Sequence, residues 1–124
     1  MTSPAANVPY VRILNSTRDT ELADRAWTAE GFWPRLVGLL RRSSLEPGEA
    51  LILDPCTSVH TAFMRFSIDV VYVGRSGQVV KLSPELKPYR ISGVLRGGRS
   101  VIELPSGRIE ATDTAVGDQL IFES

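Results

Sequence analysis

Ile68 to Val73 (IDVVYV), the turn RSG at 75–77 and the run QVVKL at 78–82 constrain the fold of this chain most strongly. Two apolar, β-branched runs around a short turn predict a β-hairpin, and Gly77 supplies the positive φ that such turns demand. Both alternating faces of IDVVYV are largely apolar, so this strand is expected to be covered on both sides. Similar punctuation recurs in VPYVRIL at 8–14, in ALIL at 50–53 after the turn EPGE, and in VIEL at 101–104 before the turn PSG. VGDQLIF at 116–122 reads as a turn into a final strand. Pro9 suits the start of an edge strand. SPELKP at 83–88 and SGVLRGGRS at 92–100 read as loops. TELADRAWTA at 20–29 fits a helix or one face of a strand, and the pattern leaves both open.

One helix is expected near residues 33–43. Pro34 fits its first turn, Trp33, Leu36, Val37 and Leu40 follow at helical spacing, and Arg41 and Arg42 place positive charge at the negative end of the dipole. The expected fold is mainly β (a β-rich α+β class), sandwich-like or a partly closed barrel with that one short amphipathic helix. A length of 124 residues corresponds to one domain. Residues 1–7 read as a flexible tail and 8–124 as a single globular domain.

Fourteen basic and fourteen acidic residues give a formal charge of zero, so the positive excess of a nucleic-acid binder is missing. Arg41-Arg42 and the group Arg90, Arg96, Arg99 form at most a local basic patch, with a solvated face as the plainer reading. A single cysteine rules out an internal disulfide framework and fits a reducing compartment. The first fifteen residues carry no basic region or apolar run of leader type, and no stretch approaches the roughly 20 apolar residues that span a bilayer. A soluble cytoplasmic protein of bacterial type is expected, with no membrane and no nucleic-acid partner.

RLVGLLRRSSLEPGEALIL, HTAFMRFSIDVVYV, GQVVKL, VIELPSG and VGDQLIF occur in an order that resembles the domain of unknown function 192 family, a group of small prokaryotic proteins. The likeness covers roughly residues 11 to 122, and the combination of HTAFM, SIDVVYV and ELPSG carries its specificity. Many members have proline at the position of Ser67 and alanine at that of Ser106, both mild departures. The resemblance implies a compact, mainly β fold with short helical insertions and no established activity. It also implies a basic residue at Arg35. Many relatives look exported, whereas this chain shows no leader.

Asp69 is the first candidate for chemistry, because it interrupts a strand that otherwise reads as core. A buried unpaired carboxylate is costly, so it must be paired, hydrogen-bonded or protonated. Two readings follow. Asp69 is a structural anchor for the HTAFM segment, taking loop N–H donors or an arginine such as Arg35, or it is a general base or ligand-contacting carboxylate. Arg65 precedes it by four residues, more than about 13 Å along a strand, too far for direct contact unless the chain bends.

His60 reads as a hydrogen-bonded structural residue or as a base, and Cys56–His60–Asp69 is the one nucleophile constellation the spacing allows. Cys56 has no recognised nucleophile signature. The same three residues are too few for structural zinc, so no metal and no cofactor are expected. RGGRS offers an anion nest or, more simply, a surface loop. Glu103 alternates against Val101 and points either to solvent or into the Asp69 cleft.

The first functional reading is a binding or accessory module. It would hold a polar small ligand or a partner peptide at a loop rim of His60, Thr61, Arg65, Asp69, Glu103 and Arg35. The second is a hydrolase or lyase using Asp69 and His60 as acid and base, which requires the two to converge in one cleft. A purely structural interaction domain is the third.

Overall fold

Alternating apolar runs become strands, and they join into one sheet. The computed structural model describes residues 10–28, 45–54, 66–87 and 98–124. Its strands are β1 (Val11–Asn15), β2 (Thr20–Thr28), β3 (Glu49–Leu53), β4 (Ile68–Gly74), β5 (Val79–Leu86), β6 (Gly98–Pro105) and β7 (Leu120–Glu123). Among the described residues one short helix, α1 (Arg108–Ala111), lies between β6 and β7. The strand order is β5-β4-β6-β3-β2-β1-β7. The pairing of β2 with β3 is parallel, and the other strand pairings are antiparallel.

The sheet curls until its two edges meet at one end. Gln78 bridges Gln119 across that seam. The N–H groups of Val79, Gly117 and Leu120 donate to the carbonyls of Asp118, Val79 and Gly77, respectively, at 2.8–2.9 Å. The result is a half-barrel, which matches the expected mainly β, partly closed fold. Gly77 holds φ +85, and a Cβ there would come within 2.8 Å of the Gln119 side chain and 3.1 Å of the Leu120 carbonyl oxygen. The hairpin turn and the seam therefore both need glycine at this position.

Curling gives the sheet two apolar faces. Every strand and the short helix contribute to one core, with Ile13, Leu22, Ile52, Val71, Val79, Ile102, Ile109 and Leu120 among its members. The opposite face of the middle strands carries a second core of Leu45, Leu51, Leu53, Ile68, Val70, Tyr72 and Val101. This explains the pattern of IDVVYV, in which every residue is buried.

Several expectations are corrected. β1 is an inner strand, between β2 and β7, and the edges of the sheet are β5 and β7. The ambiguous 20–29 segment is a strand over Thr20–Thr28, because its apolar face packs into the first core. Ser83–Leu86 continues β5 rather than forming a loop, and Gly98–Ser100 opens β6. PSG leads into α1, which composition gave no reason to expect, since four residues are too short for helical periodicity. The helix expected near 33–43 and the tail at 1–7 lie outside the described residues.

Candidate functional site

Asp69 sits on β4, the inner strand of the β4–β5 hairpin, and is fully buried. Opposite it, β5 carries one extra residue between Ser83 and Leu86, which pair with Val70 and Ile68. Pro84 has no N–H for the ladder, and Glu85 adopts a left-handed φ of +51. The bulge turns the Glu85 N–H onto Asp69 Oδ1 at 2.8 Å. From the other side, the start of α1 supplies the Gly107 N–H to Oδ1 at 3.2 Å and the Ile109 N–H to Oδ2 at 2.7 Å. Gly107 stands at the N-cap with φ +92 and makes no side-chain cap bond of its own. Asp69 supplies that cap from a neighbouring strand, answering donors that helix starts leave unpaired. Arg108 fastens the same turn to β2, its guanidinium donating to the carbonyls of Leu22 and Glu21.

Glu103 is a different case. In the β4–β6 ladder Asp69 stands opposite Leu104 and Val70 opposite Glu103. Side chains of directly paired residues share a face, so Asp69 and Glu103 point to opposite faces of the sheet. Glu103 faces neither solvent nor the Asp69 cleft. It is 5% exposed, among the residues of the second core. Its Oε2 is buried and has no hydrogen-bond partner among the described residues, and the same holds for the Tyr72 hydroxyl. Burial pushes the Glu103 carboxyl up to about 7.

A third polar cluster escaped the sequence reading. Asn15 and Asp118 are buried, and Asn15 donates to Asp118 Oδ2 at 2.9 Å and to the Thr114 hydroxyl at 3.2 Å. Arg18 Nε reaches Asp118 at 3.0 Å, the Ala115 N–H donates to it at 2.9 Å, and the Thr112 and Thr114 hydroxyls lie 2.7 Å apart. Desolvation pushes the Asp118 carboxyl up, but the hydrogen bonds from Asn15, Ala115 and Arg18 outweigh it and hold it below its ordinary value. The cluster joins the β1–β2 turn to the segment before β7. It is fully partnered, as a structural network must be. The available signal was an Asn at the end of an apolar strand, whose Oδ1 takes the Arg18 N–H at 3.1 Å.

Comparison with known proteins follows the same span. The family model described as Uncharacterized ACR, domain of unknown function 192, matches residues 13–122. The chain belongs to the DUF192 family. Among relatives of this DUF192 chain, a UPF0127 protein of Pyrococcus furiosus is 35% identical over 114 residues, covering 87% of this chain and 95% of its own. A UPF0127 protein of Thermococcus sibiricus is 30% identical over 115 residues, covering 90% and 74%. Both are archaeal, so a bacterial source does not follow from the family. A crystal structure of a protein of unknown function from Novosphingobium aromaticivorans shares the fold. Its TM-score is 0.77 at 17% identity, covering 98% of this chain and 91% of that one.

Of the candidate catalytic and ligand-binding residues read from the DUF192 sequence, Asp69 and Glu103 are described, and the fold separates them. Arg35, Cys56, His60, Thr61 and Arg65 lie outside the described residues, as does the HTAFM segment that Asp69 was expected to anchor. The donors that Asp69 does receive belong to the β5 bulge and the α1 turn. No group of three or more His, Cys, Asp or Glu side chains among the described residues is placed to hold a metal ion. Among them, too, no helix is long and apolar enough to cross a membrane.

Proposed function

We propose that this DUF192 chain is a binding or accessory module that holds a polar small ligand or a partner peptide at a loop rim beside Asp69 and His60. One observation carries this reading over a hydrolase or lyase: both oxygens of Asp69 are already occupied by three backbone donors. Three of its roughly four lone-pair positions are taken and the side chain is fully buried, which suits a support better than a general base aimed at a substrate. Glu103, the other buried candidate carboxyl, faces the opposite side of the sheet and is no partner for it.

An open cleft of about 330 Å³ adjoins Asp69, lined by Pro84, Glu85, Gly107, Glu110, Asp113 and Thr114. Acidic side chains on its wall favour hydrogen-bond donors and basic peptides over anions. The balanced charge of the chain supports a partner other than nucleic acid. A single domain over 8–124 in the cytoplasm completes the reading, the latter supported by the lone cysteine.

A thermal-shift screen of metabolites, divalent metals and basic peptides tests it, run on wild type and on Glu110→Gln/Asp113→Asn. A true ligand at one hundred times its Kd stabilises by about 2.7 kcal/mol, and the double variant should need more ligand for the same shift. Hydrolytic or lyase turnover that disappears in a folded Asp69→Asn variant would establish the enzyme instead. Fractionation of the native protein with the cell envelope would overturn the cytoplasmic part.

A further inference from the structure

We draw no further inference here: the strongest candidate, the open cleft between the β5 bulge and α1 with Glu85, Glu110 and Asp113 on its wall, belongs to the site already described, and its acidic wall alone does not show what it holds.

Discussion

Asp69 and Glu103 occupy adjacent strands and differ in how their charge is answered. Asp69 accepts three charge-assisted bonds, and both of its oxygens face N–H donors. Asparagine in its place would turn an NH₂ group toward one of those donors. Asp69→Asn should therefore lose about 1–3 kcal/mol in urea melts, and Asp69→Ala should lose more by leaving all three donors unpaired. Full stability of Asp69→Asn would remove the support role. Glu103 behaves oppositely. Folded Glu103 keeps its proton up to about pH 7, whereas in the unfolded chain it titrates near 4.5. The folded state thus binds the extra proton, and stability falls as pH rises from 4.5 through 7. The cost is absent below that window and amounts to about 3 kcal/mol above it. Glu103→Gln should accordingly match wild type near pH 4.5 and exceed it at pH 8.5, as urea melts at the two pH values will show.

The bulge in β5 and the helix α1 form one device with Asp69 between them. Glu85 contributes its N–H to that device while holding a left-handed backbone, which costs a residue with a side chain roughly 1–2 kcal/mol. Glu85→Gly keeps the N–H and removes the strain, while adding about 0.5–1 kcal/mol of unfolded-state entropy. It should leave the melting midpoint nearly unchanged or slightly raised. Glu85→Pro removes the N–H and forces φ to about −65°, so it should destabilise by about 3 kcal/mol or more. Equal midpoints for the two variants would mean that the bulge N–H is unimportant.

At the scale of the whole molecule, the seam between the β4–β5 hairpin and the start of β7 turns an open sheet into a half-barrel. Residues far apart in the chain meet there, and the Asn15–Asp118 network lies directly behind it. Breaking the seam would also expose Val79 and Leu120, both in the shared core. Native-state hydrogen exchange should therefore find the amides of Val79, Gly117 and Leu120 protected to nearly the full unfolding free energy, like those of β4. Exchange of these three by a low-energy local opening would show that the edges meet only transiently.

What the sequence determined by itself was whatever depends on near neighbours. The β4–β5 hairpin, its glycine turn, the double-faced burial of IDVVYV and the exceptional position of Asp69 were legible because alternation and φ preference are properties of a few consecutive residues. Family membership was legible in the same way, from short motifs in a fixed order. The tertiary structure alone decided which donors reach Asp69, since Glu85 and Ile109 are 16 and 40 residues away in sequence. It alone placed Glu103, because period-two alternation gives a residue two possible faces and only the β4–β6 register selects one. It also made β1 an inner strand and assembled Asn15 with Asp118, 103 residues apart. Strand order and register are set by long-range pairing and by the closure of the sheet, and no local pattern encodes either.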